Sequence, residues 1–344
     1  MVPFVETRTV VADFEDWREA VAEAVELLDQ GEVVALPTET VYGLAASALN
    51  ADAVARVFEV KERPSFDPLI VHIGRKGDLK EVAEVPEEIT ELVNELIEAH
   101  WPGPLTLVLP KKPEISDLVT SGLDTVAVRL SAHEVMREVA KNHGPIAAPS
   151  ANRFGRISPT SAQAVLEELG GRIPMIIDGG ACRDGLESTI VAPMIGEKGP
   201  VLRLLRPGPI SKEDLRKIAK VEVVKNKPGK QVEAPGQLAS HYAPSTPLMI
   251  ADKPGDFVPE AAKKYGLLSY RGEGGTSLVN LTDWAAIETL SPGKGKLAEA
   301  AVRLFYCLRR LDAAGVDLIV VEPVARTGVG FAIMDRLKRA SVRE

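Results

Sequence analysis

The sequence predicts an α/β protein built from two domains. Short apolar runs typical of buried strands alternate along the chain with amphipathic stretches typical of helices, which is the pattern of a large mixed sheet covered by helices. The chain has 344 residues, more than one hydrophobic core usually serves. The pattern lapses after Val224, so we expect a first domain at 1–224, a linker at 225–246 and a second domain at 247–344.

Local signals define the elements of the first domain. Apolar residues within 17–28 share one face of a helix that Gly31 ends. Asn50 caps a second helix at 51–60. Further helical patterns lie at 86–100, 132–142 and 161–169, and the strand-like runs are 33–36, 69–73, 105–109, 126–130, 146–148, 175–177, 188–191 and 201–205.

The second domain repeats the alternation on a smaller scale. Its strand-like runs are 248–250, 266–269 and 318–321, and its helical patterns are 259–264, 296–314 and 331–340. Strands that alternate with helices are typical of a parallel sheet.

Composition excludes several classes of protein. The formal charge of −8 argues against a protein that coats nucleic acid, so we expect no direct stable nucleic-acid binding. Residues 1–19 lack the apolar segment of a signal peptide, and no apolar run reaches membrane-spanning length. Cys182 and Cys307 are the only cysteines and form no CxxC motif, which fits a reducing compartment. We therefore expect a cytoplasmic protein without membrane contact.

A charged loop lies between the second helix and the strand-like run at 69–73. It carries Lys61, Arg63 and Asp67 and contains two prolines, Pro64 and Pro68. Each proline disfavours helical backbone at the residue before it, so Arg63 and Asp67 lie on rigid irregular backbone. Such a loop suits anion binding, although cations in the last turn of a helix also offset its dipole.

A second polar cluster follows the run at 146–148. Ser150, Arg153, Arg156 and Ser158 bring hydroxyl and guanidinium groups to the end of a strand, where they suit phosphate or ribose. The alternative is an ordinary loop in which the segment from Ser158 starts a helix. That alternative leaves both arginines unexplained.

Arg129 stands alone among apolar residues in a predicted strand. A buried guanidinium needs an anionic ligand or a carboxylate partner, and Glu187 and Asp178 are both possible partners. Further polar groups follow the first strand-like run or precede a later one: Thr38, Glu39, Thr40, Tyr42, Ser188 and Thr189.

Several familiar motifs are missing. The chain has no GxxxxGK[ST] sequence, so any ATP would bind without a P-loop. Its five histidines show no paired spacing, which disfavours a metal held by the protein alone. Mg2+ carried by a triphosphate needs few protein ligands and remains compatible with the sequence. Cys182 has no evident base beside it, so we interpret it as a buried cysteine rather than a nucleophile.

Five ordered motifs closely resemble the L-threonylcarbamoyladenylate synthases. They are LPTETVYGL at 36–44, KERPSFDPL at 61–69, PSAN at 149–152, ESTI at 187–190 and LRPG at 205–208. The resemblance covers Val10 to about Val224 as a YrdC-like catalytic domain. The HYAP motif at 241–244 and the tail are similar to the linker and second domain of the family's long form.

The resemblance implies both a fold and a reaction. The fold is a YrdC-like twisted mixed sheet that encloses a positively lined cavity, plus a small C-terminal Rossmann-like α/β domain. The reaction forms threonylcarbamoyl-AMP and pyrophosphate from L-threonine, bicarbonate or CO2, and ATP with Mg2+. The product serves threonylcarbamoyladenosine modification of tRNA, by hand-off to a downstream threonylcarbamoyl transferase complex.

The resemblance also implies roles for individual residues. The residues expected to bind threonine are Thr40, His72, Arg129, Ala148 and Ser188. The residues expected to bind ATP are Arg63, Asp67, Thr125, Ser150, Ser158, Arg206 and Tyr242. Lys61 and Arg63 are expected to act in catalysis by neutralising phosphate charge, and no protein ligand to the metal is expected.

Two positions depart from the family's pattern. The family often has Asn where this chain has Asp67, and a basic residue where it has Ser240. An aspartate adds negative charge near phosphates and cannot donate as an amide does.

Two alternative functions also remain at this stage: an RNA-binding module that uses the same basic cavity, and a carbamoyl-adenylate enzyme with a different acceptor.

Overall fold

The computed structural model describes residues 4–12, 17–224, 232–238, 240–272 and 277–342. Residues 225–231 and 239 of the predicted linker lie outside this set. The chain divides into two compact units. The first comprises Met1–Phe154, Pro159–Arg183 and Glu187–Gln237, and the second comprises Gly155–Ser158, Asp184–Leu186 and Leu238–Glu344.

The described part of the first unit contains one mixed sheet and its helices. Its strands are β1 (Arg8–Val11), β2 (Val34–Leu36), β3 (Gly43–Ser47), β4 (Ile70–His72), β5 (Leu105–Pro110), β6 (Thr125–Arg129), β7 (Ile146–Ala147), β8 (Met175–Asp178), β9 (Thr189–Gly196), β10 (Gly199–Arg206) and β11 (Lys220–Val223). Its helices are α1 (Trp17–Asp29), α2 (Ala51–Lys61), α3 (Leu79–Val82), α4 (Thr90–His100), α5 (Asp117–Thr120), α6 (Glu134–His143), α7 (Ala162–Leu169) and α8 (Lys212–Leu215).

The sheet order is β1-β8-β2-β3-β7-β4-β6-β5-β9-β10-β11, with parallel and antiparallel neighbours. This confirms the predicted α/β class and its large mixed sheet. The sequence analysis did not predict β1, β3 or β11. The β3 segment, Gly43–Ser47, lacks β-branched residues and forms a strand because β2 and β7 pair with its two edges.

Helices α1 and α6 cover one face of the sheet. Buried side chains such as Leu28 and Met136 pack there against Leu36 and Ile177 from the strands. This burial of apolar surface is the main contribution to stability on that face.

Helix α2 leads directly into the charged loop and fixes where that loop begins. The Asn50 side chain accepts hydrogen bonds from the amides of Asp52 and Ala53 at 3.0 and 3.2 Å, so the predicted cap is confirmed. The helix ends at Lys61, and Glu62 adopts a left-handed conformation with φ of 55°. Arg63 therefore leaves the helix, as the proline after it predicts.

The second unit is built on a small parallel sheet. Its strands are β12 (Leu248–Ile250), β13 (Tyr265–Ser269), β14 (Ala286–Thr289) and β15 (Leu318–Val321), in the order β12-β15-β13-β14, and its helices are α9 (Leu297–Asp312) and α10 (Gly330–Ala340). The predicted helix at 259–264 is wrong: Ala262 has φ of 68°, which breaks a helix. Within the described residues, no helix combines the length and hydrophobicity that a bilayer span needs.

One glycine of the first unit lies against neighbouring backbone. A Cβ atom on Gly208 would approach the amide nitrogen of Thr189 to 2.4 Å and the carbonyl oxygen of Glu187 to 2.6 Å. Neither backbone atom can move aside without displacing the start of β9. The glycine of the LRPG motif therefore has a packing role.

We predict that Gly208→Ala lowers the free energy of unfolding by about 1–3 kcal/mol, because the added methyl group overpacks this contact. Gly77→Ala is the matched control, since a Cβ there meets no atom within 4 Å. The control should stay within about 0.5 kcal/mol of the unaltered chain. Urea unfolding followed by circular dichroism measures both, and equal midpoints would contradict the prediction.

Candidate active site

A row of polar side chains crosses three neighbouring strands of the first unit. His72 on β4 and Thr106 on β5 are both register partners of Arg129 on β6, so the three side chains share a face of the sheet. All three are buried. Two residues earlier on the same face, Ile70 and Ala127 belong to a hydrophobic cluster. The polar row thus lies next to apolar side chains on the same face of the sheet.

Arg129 is held by groups from two other segments of the chain. Its Nη2 atom lies 2.7 Å from Glu39 Oε1, and its Nη1 donates to Thr40 Oγ1 at 2.9 Å. Its Nε donates to the carbonyl of Gly103 at 3.3 Å. Ser131 Oγ donates to the other carboxylate oxygen of Glu39. The loop after β2 therefore reaches the end of β6 and orients the guanidinium.

The charge states of this cluster follow from burial and from the arginine. Burial alone would raise the pKa of Glu39, but the charge of Arg129 and the hydrogen bond from Ser131 outweigh it and lower that pKa to about 2. Burial, and then the charge of Arg129, lower the pKa of His72 to about 3. At neutral pH the cluster contains an ion pair and a neutral imidazole.

A second arginine binds Ser188 at the start of β9. Arg206 donates from Nη2 to Ser188 Oγ at 2.9 Å and from Nε to the Ser188 carbonyl at 3.0 Å. Its Nη1 donates to the carbonyl of Pro235 at 3.4 Å. The hydroxyls of Ser188 and Thr106 share a hydrogen bond of 2.7 Å. Because Thr106 is the register partner of Arg129, the two arginines belong to one continuous polar cluster.

Lys61 joins the two polar stretches that are far apart in sequence. Its Nζ donates to the carbonyls of Ser150 and Asn152. The side chain is buried, and burial together with the charge of Arg63 lowers the pKa of Lys61 well below its usual range. The PSAN motif is thus fastened to the charged loop.

Arg63 and Asp67 form a buried ion pair within that loop. Arg63 Nη2 lies 2.8 Å from Asp67 Oδ2 and donates to the Pro68 carbonyl at 3.0 Å, while Nε donates to the Asp67 carbonyl at 3.2 Å. Burial raises the pKa of Asp67, although the charges of Arg63, Lys61 and Arg206 oppose this. Asp67 therefore lies among three cations.

Comparisons with known proteins show the family to which the chain belongs. The family model described as Telomere recombination, which spans Sua5, YciO and YrdC proteins, matches residues 26–208. The model of the threonylcarbamoyl-AMP synthase C-terminal domain matches residues 210–342. Threonylcarbamoyl-AMP synthase from Pyrococcus abyssi is 42% identical over 95% of this chain and 95% of that protein. The chain belongs to the threonylcarbamoyl-AMP synthase family.

Other members of the family extend the likeness over nearly the whole chain. Threonylcarbamoyl-AMP synthase from Bacillus subtilis is 40% identical over 93% of this chain and 92% of that protein. The crystal structure of P. abyssi Sua5 complexed with L-threonine superposes with a TM-score of 0.83 at 40% identity, covering 97% of each chain. A P. abyssi Sua5 variant with a His and the Tyr after it changed to Ala gives a TM-score of 0.84 at 38% identity, covering 97% of this chain and 96% of that one.

The remaining residues that the family resemblance singled out are distributed over both units. In the first unit, Thr125 begins β6 on the face that carries Arg129, and Ala148 is buried with its amide donating to the Ile70 carbonyl at 2.9 Å. Ser158 and Tyr242 belong to the second unit. There the Tyr242 ring stacks on Phe305 with centroids 5.6 Å apart, and the Arg336 guanidinium lies 5.1 Å from its centroid.

Three residues of the cluster were not assigned to it from sequence. Glu39 is the partner of Arg129, whereas Glu187 and Asp178 were the expected candidates. Thr106 and Ser131 were not singled out at all. The sequence offered only weak signals for them. Thr106 is a single hydroxyl residue inside the apolar run of β5, Ser131 lies two positions after Arg129, and neither feature is specific by itself.

We predict that His72 makes stability depend on pH. The unfolded chain protonates this residue near pH 6.5, whereas the folded chain does so only near pH 3. Between these values the unfolded state binds more protons, so stability falls as the pH drops, by up to about 1.4 kcal/mol per pH unit. His72→Gln removes this contribution. The difference in unfolding free energy between the unaltered chain and the variant should shrink from pH 7.5 to pH 5, and a constant difference in urea unfolding would contradict the assignment.

Proposed function

We propose that this chain forms L-threonylcarbamoyl-AMP and pyrophosphate from L-threonine, bicarbonate or CO2, and ATP. The observation that carries the proposal is the convergence of Arg129, Arg206, Arg63 and Lys61 within one unit. Those cations match one amino-acid carboxylate and one triphosphate. The name of the P. abyssi relative and the L-threonine complex of P. abyssi Sua5 support the same reaction.

We assign the amino acid to the Arg129 end of the polar row. A guanidinium has five N–H donors, and two of those on Arg129 donate to Gly103 and Thr40. We assign the remaining N–H donors to Glu39 and to a ligand carboxylate, because the planar, forked guanidinium can bind a carboxylate through two parallel hydrogen bonds. Neutral His72 and the hydroxyl of Ser188 border the same place and can exchange hydrogen bonds with a bound amino acid without adding charge.

We assign the triphosphate to Arg63, Arg206 and Lys61, with Thr125 and Ser150 as hydroxyl partners of the nucleotide. An ammonium group has three N–H donors, and two of those on Lys61 serve the carbonyls of Ser150 and Asn152. The third is the one that we assign to phosphate. The roles of Ser158 and Tyr242 in the second unit stay predictions.

In this proposal Mg2+ enters the site bound to ATP. Within the described residues, no group of three or more His, Cys, Asp or Glu side chains could hold a metal ion. Phosphate oxygens and water would supply most of the ligands, which is the usual way in which Mg2+ enters nucleotide sites. The ion would neutralise charge on the leaving pyrophosphate.

The chemistry requires positioning more than covalent catalysis. CO2 and the threonine amine give a carbamate with loss of a proton, and bicarbonate gives the same carbamate with loss of water. The carbamate is a poor nucleophile and decomposes in water. A carbamate oxygen attacks the α-phosphorus in line, the bond between the α-phosphorus and the bridging oxygen breaks, and pyrophosphate leaves. Excluding water, aligning the reacting atoms and neutralising charge lower this barrier.

We place the product in tRNA modification, in a cytoplasmic setting. A mixed anhydride of a carbamate and a phosphate is labile, so an acyl-type transfer to an adenosine must follow soon after synthesis. We expect a separate threonylcarbamoyl transferase complex to consume it.

The first test is detection of the adenylate by mass spectrometry together with release of pyrophosphate. Release should require threonine and bicarbonate together. If another amine replaces threonine at equal efficiency, the enzyme uses a different acceptor. Salt-sensitive RNA affinity without pyrophosphate release would instead favour an RNA-binding module.

We predict that Arg129→Ala abolishes threonine-dependent release of pyrophosphate. Arg129→Lys keeps a charge opposite Glu39 but lacks the fork, so it should raise the KM for threonine by about tenfold or more and leave the KM for ATP nearly unchanged. Arg56→Ala, which removes an exposed arginine paired with Glu32, is the control and should behave like the unaltered enzyme. Normal threonine kinetics in a folded Arg129→Lys variant would remove Arg129 from the site.

A further inference from the structure

We propose that the Asp67 carboxylate is the resident counterion of Arg63, and that it opposes the binding of the ATP phosphates to that guanidinium. Asp67 then limits the affinity of the enzyme for ATP while stabilising the site without nucleotide. The proposal rests on the assignment of Arg63 to the triphosphate. It adds a residue that tunes affinity for one substrate only.

The geometry of the loop makes Asp67 a fixed competitor. The Asp67 side chain is fully buried, and its Oδ2 atom lies 2.8 Å from Arg63 Nη2. The Arg63 side chain also donates to the carbonyls of Asp67 and Pro68, so the arginine and the carboxylate belong to one closed loop. Pro64 and Pro68 restrict the backbone on either side. The carboxylate therefore stays beside the guanidinium rather than swinging into solvent.

The surroundings of Asp67 explain why a carboxylate is tolerated there. Arg63, Lys61 and Arg206 all act on it electrostatically and oppose the rise in its pKa. Basic side chains gathered in a buried place are destabilised in their charged forms unless an anion balances them. Asp67 supplies that anion when no nucleotide is bound.

The same charge opposes ATP. A phosphate oxygen that approaches Arg63 meets a partner already in place, and a triphosphate is repelled by the carboxylate. An asparagine at this position would have nearly the same shape, would lose the charge and could donate an N–H to phosphate. The proposal therefore predicts two opposite effects of one substitution, which a purely structural role does not.

The experiment compares Asp67→Asn with the unaltered enzyme. Titration calorimetry with Mg2+ and a non-hydrolysable ATP analogue should give a dissociation constant about three- to tenfold lower for the variant. Its melting temperature without nucleotide should fall, and the rise in melting temperature on adding the analogue should be larger. The KM for ATP should fall with little change in the KM for threonine. Glu95→Gln, which removes an exposed carboxylate of α4, should alter none of these values.

Other outcomes overturn the proposal in distinguishable ways. Unchanged or weaker binding of the analogue by a folded Asp67→Asn variant contradicts the counterion role. If the weakening disappears when Mg2+ is left out, Asp67 is a metal ligand instead. Inorganic triphosphate is the second probe, because its binding does not depend on the adenylation reaction. If the unaltered chain binds the probes but makes no adenylate, the proposed function fails while the Asp67 comparison still decides the inference. If it binds neither probe, both fail.

Discussion

Burial of charged arginines is the constraint on which the first unit depends. Arg129 carries a guanidinium group, and at 3% exposure this buried cation needs an anionic partner. Glu39 provides that partner from the loop after β2, although β3, β7 and β4 separate β2 from β6 in the sheet. Removing one member of such a pair typically costs about 3–5 kcal/mol, a large share of the stability of a domain. The ion pair therefore fixes the course of the loop as well as the arginine.

The second buried pair solves the same problem locally. Arg63 and Asp67 are four residues apart, so their bond closes a short loop instead of joining distant strands. Lys61, two residues before Arg63, supplies the long-range link, because its side-chain amine donates hydrogen bonds to the carbonyls of Ser150 and Asn152. The ion pair within the loop and the hydrogen bonds of Lys61 to distant backbone together fix the position of the loop relative to the end of β7. Rigid placement of this kind is what in-line attack on a phosphorus requires.

The sequence was informative where structure is determined locally. Apolar runs predicted most strands of both sheets, and Asn50 marked the start of α2 because its cap involves only adjacent residues. Pairings across long separations were not predictable: nothing near Arg129 distinguishes Glu39 from Glu187 as its partner. Strand β3 shows the same limit, since its pairing with neighbouring strands makes it a strand. The predicted helix at 259–264 failed for another reason, because Ala262 has a left-handed backbone conformation that its residue type does not indicate. The PSAN and KERPSFDP motifs indicated a site, but only the bonds of Lys61 show that they meet.

Neutral acceptors and charged counterions have different consequences for ligand binding. The carbonyls of Gly103, Pro68 and Pro235 hold the three arginines without opposing an incoming anion. The carboxylates of Glu39 and Asp67 neutralise the site when it is empty, yet each repels an anionic ligand. A substrate anion that binds here would share its arginine with the resident carboxylate, which stays in place. Such a site is stable without substrate because it carries its own anions, and the same anions limit the affinity for an anionic ligand.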